Sequence, residues 1–356
     1  MPPLLLHLLK RIFAIIITLF VVTAVMYATV MLTPAETRAT LFLPPHPSPH
    51  QTQEQYDHMI GLIIQENHLN DPFPVQYYYW ISNLVKGNWG YSQIMQQGVL
   101  SAIIQRTPVT AELTLYSILV FIPLGLLSGV LAGSRKNKVV DRGFRLTAYI
   151  ATSFPPFILA LILIAFFYVD LYWFAPERTS SAINLIVSSV KFHQYTGLLT
   201  IDGLLNGRPD ISLDALRHLV MPVFTLAFAH WAILGRVTRV TMLEEMGQDY
   251  VIAAKARGLT DQRVVWRHML PNAIAPALTS SLLSAASLLT GVYVVEIIFN
   301  FHGISEVAVA SMQSVPDAPA ALGFAIYSTI VVVTLMGVLD LIQAILDPRI
   351  RKGEIN

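Results

Sequence analysis

Six stretches of about 20 apolar residues, nearly free of charged side chains, run along this chain at intervals, and each is long enough to cross a bilayer as a helix. They lie at approximately Ile12 to Leu32, Leu113 to Ala132, Leu146 to Tyr168, Leu219 to Val237, Ala273 to Phe299 and Ala320 to Leu346. Lipid supplies no hydrogen bonds, so each stretch must satisfy its own backbone polar groups, and helix is the conformation that does so within one segment. Composition agrees. Hydrophobic residues make up 54% of the 356 and charged residues 13%, with a mean hydropathy of +0.57, against about 25% charged residues in a soluble domain. The expected fold class is an all-α polytopic membrane protein with six transmembrane helices.

The chain has no cysteine, which excludes disulfides, thiolate metal sites and cysteine nucleophiles. The first stretch follows Lys10 and Arg11 in the manner of a signal peptide, but its apolar run of about 21 residues closes without a small-x-small cleavage site, so an uncleaved anchor is expected. Orientation follows from Lys and Arg. Sixteen of the 23 fall in residues 1–11, 133–146, 235–272 and 347–356, and seven in the alternate segments 33–110, 170–217 and 299–320, which are together about twice as long. By the positive-inside rule both termini, the Arg135 to Arg145 loop and residues 249–276 are cytoplasmic. A multi-pass membrane location with both termini cytoplasmic is expected.

The expected divisions are residues 1–32, a cytoplasmic N-terminus and first span; 33–110, an extracytoplasmic helical region with a Pro-rich connector; 111–346, a five-helix core that includes an outer loop at 170–217 and a cytoplasmic loop at 238–272; and 347–356, a cytoplasmic tail. Pro44, Pro45, Pro47 and Pro49 predict an extended, polyproline-like connector. Ile60, Ile63 and Ile64 recur at helical spacing, and Pro72 and Pro74 precede a second helical run from Val75 to Lys86, so a helical cap on the outer face is predicted. His46, His50, His58 and His68 lack metal-ligand spacing and read as surface histidines. Residues Asp170 to Arg217 carry turn signals at Asn206-Gly207 and Pro209-Asp210 and predict short helices or loops.

Within the spans, Gly125, Gly129 and Gly133 fall at four-residue intervals and predict close approach of a neighbouring helix. Pro155 and Pro156 predict a kink or break in the third span, and Pro222 is placed in the first turn of the fourth. Ser280, Ser284, Ser287 and Gly291 line one predicted face of the fifth, either as a polar passage or as helix-helix hydrogen bonding. Glu112 and Glu296, near the outer interface, are expected to be solvated or paired. Asp340 reads as structural, and His218 and His230 as packing or interface residues.

Between the fourth and fifth spans stands a polar, basic insert, DYVIAAKARGLTDQRVVWRHMLPNAIAP, from Asp249 to Pro276. Met246, Tyr250, Ala253, Ala254 and Arg257 lie on one predicted helical face, whose two alanines would let the backbone sink into a partner's cleft. Lys255 and Arg257 suit the negative helix end. Gly258 supplies the left-handed stop, and Thr260 or Asp261 can cap a second helix whose Val264, Val265 and Met269 point back toward the membrane. Pro271 is expected to separate that helix from the fifth span. An amphipathic hairpin lying on lipid headgroups has the same periodicity.

The spacing of Ala253-Ala254, Gly258 and Leu270-Pro271 resembles the EAA loop of ABC importer permeases, with Ile252 in place of the glutamate and His268 in place of an isoleucine. Gly87-Asn88-Trp89-Gly90-Tyr91-Ser92, Arg106-Thr107-Pro108 with Glu112-Leu113-Thr114, Phe299-Asn300-Phe301-His302-Gly303-Ile304 and Asp347-Pro348-Arg349-Ile350-Arg351 resemble further motifs of the dipeptide/oligopeptide (and nickel) branch of that family, while Thr33-Pro34-Ala35-Glu36 stands where a G-D-P is common. The resemblance implies a binding-protein-dependent permease subunit without catalysis of its own, paired with a second homologous permease subunit, two cytoplasmic ATPases and an extracytoplasmic solute-binding protein, and with no nucleic acid. ATP and magnesium belong to the ATPases, because the chain has no phosphate-binding loop. It also implies an ATPase-coupling role for Tyr250, Ala253, Ala254, Arg257, Gly258, Leu259, Leu270 and Pro271, with Ser280, Ser284 and Ser287 as candidate passage-lining residues.

An intramembrane enzyme would need H-E-x-x-H, G-x-S-x-G or paired intramembrane aspartates, and none is present. An ion-coupled secondary transporter or channel would place ions at Asp340 and broken helices, and would leave the insert without a purpose. A permease of an exporting or sensing system stays open, as does the identity of the cargo.

Overall fold

In a computed structural model the chain is described over residues 3–39, 42, 52–312 and 317–346. In chain order it forms α1 (Pro3–Val30), α2 (Ala35–Ala39), α3 (Gln53–Glu66), α4 (Phe73–Val85), an antiparallel ladder of β1 (Tyr91–Ser92) and β2 (Gln97–Gly98), α5 (Val99–Ser134), α6 (Val139–Ser153), α7 (Pro156–Leu163), α8 (Ser181–Val187), α9 (Leu199–Leu205), α10 (Pro209–Met246), α11 (Asp249–Ala256), α12 (Asp261–Val264), α13 (Leu270–Ile298), α14 (Ser305–Ser311) and α15 (Ala318–Leu346). Among the described residues the fold is all-α apart from that short ladder. Five helices (α1, α5, α10, α13 and α15) contain segments long and apolar enough to span a membrane, and α6 with α7, bent by 99°, makes a sixth when counted as one span.

That bend has a local cause. Pro155 and Pro156 bring no N–H, and the residue before a proline is driven out of the helical region; Phe154 is extended, with ψ 119°. Pro222 corrects the sequence expectation. It lies inside α10, because the helix begins at Pro209, ten residues before the apolar run. Hydropathy marks where lipid begins, whereas the hydrogen-bonded helix continues through the polar residues beyond it.

The chain divides into two compact units. One holds Leu5–Thr107 with Gly303–Gly337, the other chiefly Pro108–His302. In the first, α3 opens on a capping box of Thr52 and Gln55, and Ile60 and Ile63 pack with Ala39 and Leu69. The α4 side chains Tyr77 and Trp80 pack on Tyr27 and Ile326. Arg38 is buried and donates to the side chain of Gln76 and, at 2.9 Å, to the carbonyl of Leu69. Asp317 accepts from Ser92 Oγ at 2.6 Å, and Arg106 pairs with Glu306 at 2.7 Å.

In the second unit α10 is the central helix, its apolar face packed on α5 and α13. The glycine stripe of α5 lies on it: a Cβ at Gly129 would stand 2.6 Å from the Gly235 carbonyl oxygen and from Thr238 Cβ, so only glycine permits this approach. Outside the spans, α8 and α9 lie between α7 and α10. Glu112, fully buried, is paired with Arg178 at 2.6 Å and accepts from the backbone N–H and hydroxyl of Thr200. Glu296 is also fully buried, not solvated. His218 Nδ1 meets the Asp214 carbonyl at 2.8 Å, and the His230 ring packs 5.6 Å from Phe121. Pro44 to Pro49, His46, His50, the Asp347 to Arg351 motif and the Asp340 side chain lie outside the described residues.

Candidate functional site

The hairpin between α10 and α13 is built from short-range rules. After Met246 the chain turns through Gly247 and Gln248, and Gln248 is the N-cap residue of α11, with ψ 145°. Helix α11 closes in a Schellman motif: Gly258 N–H donates to Lys255 O at 2.9 Å and Leu259 N–H to Ala254 O at 3.3 Å, with Gly258 at φ 78°. Nothing lies within 4 Å of a Cβ placed at Gly258. The glycine therefore serves the backbone turn and leaves open space outside it.

The single face predicted for Met246, Tyr250, Ala253, Ala254 and Arg257 is corrected. Met246 ends α10, so the turn at Gly247 resets the helical phase. On α11 the inward residues are Val251 and Ala254, both fully buried, while Ile252, Ala253, Lys255, Ala256 and Arg257 are exposed. Val251 and Ala254 join Val130 of α5, Met242 of α10, Val264, Met269 and Ala273 in one cluster, with Met246, Tyr250, Leu259, Val265 and Leu270 packed around it. One face of the hairpin is thus fastened to the spans, and the other is free. Val251 lies off the face predicted from sequence, and its i, i+3 relation to Ala254 is the local signal of its burial.

Tyr250 donates its hydroxyl to Glu245 Oε2. Burial and that neighbouring carboxylate push the phenol pKa up, so the group remains a neutral donor at physiological pH. Thr260 is the N-cap residue of α12 but makes no side-chain cap bond. Pro271 does not separate the hairpin from the fifth span. A π-helical turn at Val265–Met269 leads directly into α13, where Pro271 occupies the first turn. There the missing N–H costs little, and the widened turn before it accommodates the ring. Arg257, Leu259, Arg263, Arg267 and His268 surround an open hollow of about 330 Å³ with no acidic residue among the described residues that line it. Another hollow, about 430 Å³ and lined by Trp80, Asn83, Asn88 and Trp89 among others, belongs to the first unit and has no charged residue among the described residues that line it.

The serine stripe of α13 is not uniform. Ser284 is buried, Ser280 half-buried and Ser287 exposed, and Ser287 Oγ donates to the Ser284 carbonyl at 3.0 Å. At the C-terminal end of α13, Asn300 takes φ 56° and its neighbour Phe301 donates to Glu296 O at 2.8 Å, so an asparagine closes α13 as a glycine closes α11. Among the described residues no group of three or more His, Asp or Glu could hold a metal ion.

Fold and hairpin together define a multi-span helical membrane protein with a polar, partly unpartnered hairpin set between two spans. Residues 122–352 match the family model described as "binding-protein-dependent transport system inner membrane component", and the chain belongs to that family. It is 32% identical over 342 residues to a di/tripeptide transport system permease protein of Pseudomonas aeruginosa, covering 96% of this chain and 97% of the relative. An oligopeptide transport system permease protein of Bacillus subtilis is 34% identical over 289 residues, covering 81% and 83%. A glutathione transport system permease protein of Escherichia coli is 28% identical over 345 residues, covering 97% and 98%. The chain is accordingly a multi-pass permease subunit of a membrane transport system.

Proposed function

We propose that this permease is one of two membrane subunits of an ATP-driven ABC importer for peptides or similar small polar solutes, and that the hairpin from Met246 to Ala273 receives the ATPases. The observation that carries the reading is the division of the hairpin. Val251 and Ala254 are buried against α5 and α10, while Ile252, Ala253, Lys255, Ala256, Arg257 and Gly258 are left outward. A force applied to that outward face enters the spans through packed side chains. Arg257, Arg263 and Arg267 make the docking face basic and suit acidic side chains on the partner.

The chain has no G-x-x-x-x-G-K-[ST] sequence, so ATP and magnesium are assigned to the two ATPase partners. An external binding protein delivers solute, and a second permease completes the passage. Residues 33–110 form the outer cap, 111–346 the permease core and 347–356 a cytoplasmic tail, with the hairpin and both termini on the cytoplasmic side. ATP-driven closure of the ATPases would move α11, and rigid-body tilting of the spans would open the passage outward. Of the serines on α13, Ser287 is exposed and is assigned to the passage wall, with Ser280 at its margin; Ser284 faces the protein interior. The relatives named for di/tripeptides, oligopeptides and glutathione support a peptide cargo.

The test is affinity purification of the complex with wild type, Gly258→Ala and Gly258→Trp. Alanine adds only the strain of a left-handed residue, about 1–2 kcal/mol, whereas tryptophan also fills the open space outside the turn. The expected result is a small loss of ATPase recovery with Ala and a loss of about tenfold or more with Trp, with equal membrane insertion. Equal recovery of ATPases with Trp would overturn the docking assignment.

A further inference from the structure

Asp141, in the first turn of α6, is fully buried. Its Oδ1 accepts from Arg239 Nε at 2.5 Å, and its Oδ2 accepts from Arg239 Nη2 at 3.1 Å and from the backbone N–H of Asn137 at 2.9 Å. Arg145 Nε stands 3.8 Å from Oδ2. Two parallel N–H···O bonds between a planar guanidinium and a carboxylate fix orientation as well as distance. Apolar helix contacts permit sliding, which a bidentate ion pair resists.

The placement of the pair gives it a mechanical consequence. Arg239 lies on α10 one turn before Met242, which is fully buried against Val251 and Ala254 of α11, and α10 is unbroken from Arg239 to Met246. Beside the pair, Phe144 of α6 fills the space over Gly235 of α10, its Cζ 2.7 Å from where a Cβ would stand. At its other end α6 meets the 99° bend into α7. The hairpin, α10, the ion pair, α6 and the bend thus form one continuous line of contacts within a single compact unit.

We propose that Asp141 and Arg239 form a clamp that makes α6 move with α10, so that displacement of the hairpin is delivered to the α6–α7 bend. Both are positioning residues for transport. The inference rests on the reading of the hairpin as the point where force enters.

The test uses the complete complex with wild-type permease, Asp141→Asn, and the exchanged pair Asp141→Arg with Arg239→Asp. Recovery of ATPases, ATP hydrolysis and solute transported per ATP hydrolysed are measured in proteoliposomes. Asp141→Asn is expected to assemble and hydrolyse ATP, while transporting roughly tenfold less per ATP, the scale on which single residues alter coupling; the exchanged pair recovers part of the loss. For inserted protein, undiminished transport per ATP, or a loss explained wholly by lowered recovery of ATPases, would overturn the clamp.

If Asp141→Asn does not insert, the cysteine-free background allows Asp141→Cys with Arg239→Cys joined by a short bismaleimide. The clamp predicts higher transport per ATP in linked than in unlinked molecules of that same variant, and equal values would contradict it. Failure of the hairpin reading is distinguishable, because Gly258→Trp would then recover ATPases as fully as wild type does. In that case hydrogen exchange of the permease alone decides: the clamp requires faster exchange in α11 as well as in the first turn of α6 on Asp141→Asn, and a change confined to α6 would refute it.

Discussion

Ala253 and Ala254 are adjacent, chemically identical and placed in opposite environments. Ala254 is fully buried among Met242, Val264 and Met269, while Ala253 is exposed. Replacing Ala254 with leucine forces extra methylenes into a packed cluster, which costs about 1–3 kcal/mol. Ala253→Leu should stay within about 0.5 kcal/mol, as surface changes do. Thermal denaturation of the detergent-solubilised protein should therefore shift for Ala254→Leu alone. The reverse pattern of association is expected, with Ala253→Leu retaining fold but losing ATPase binding. If both substitutions lower the melting temperature equally, the inward and outward assignments on α11 are wrong. Glu112 shows the same dependence on context: an acidic residue at the end of an apolar run reads as interfacial, yet its carboxylate is buried and satisfied by Arg178 and Thr200, which are distant in sequence. No local pattern around Glu112 announces those partners.

The helices were legible wherever a backbone rule or a sustained apolar run acts, and less so at their ends. Pro155-Pro156 breaks its helix for a reason contained in two residues, and Gly258 closes α11 because left-handed backbone favours glycine. Pro222 and Pro271 carry no such legible break, since the same residue type is accommodated inside α10 and after a π turn once neighbouring contacts hold the helix together. The glycine stripe of α5 announced a close helix contact, but not that α10 is the partner. That contact predicts that Gly129→Leu, whose Cβ would meet the Gly235 carbonyl at 2.6 Å, lowers the yield of folded protein severalfold. Gly143→Leu, with nothing within 4 Å of its Cβ, serves as the matched control. Monodisperse recovery by size-exclusion chromatography reads both, and equal recovery would contradict the packing of α5 on α10.

At the scale of the whole molecule, charge asymmetry predicts the topology. A single cysteine at Gln53, in α3, should react with an impermeant maleimide on spheroplasts, and one at Lys136, between α5 and α6, only after the membrane is opened; both positions are exposed. The opposite labelling pattern would invert the orientation and remove the hairpin from reach of any cytoplasmic ATPase. Lipid and local backbone rules act on the residues directly, and they dictate six apolar runs, helical because the bilayer offers no hydrogen bonds, the break at Pro155-Pro156, the glycine turn at Gly258, and a polar hairpin whose spacing marks the family. The choice of faces is set instead by long-range packing. Whether Ala253 or Ala254 points outward, that Val251 and Met242 fasten the hairpin, and that Asp141 meets Arg239 across 98 positions of sequence all depend on where helices distant in the chain come to lie. Those positions follow from the summed packing of many weak contacts, to which no single local pattern corresponds.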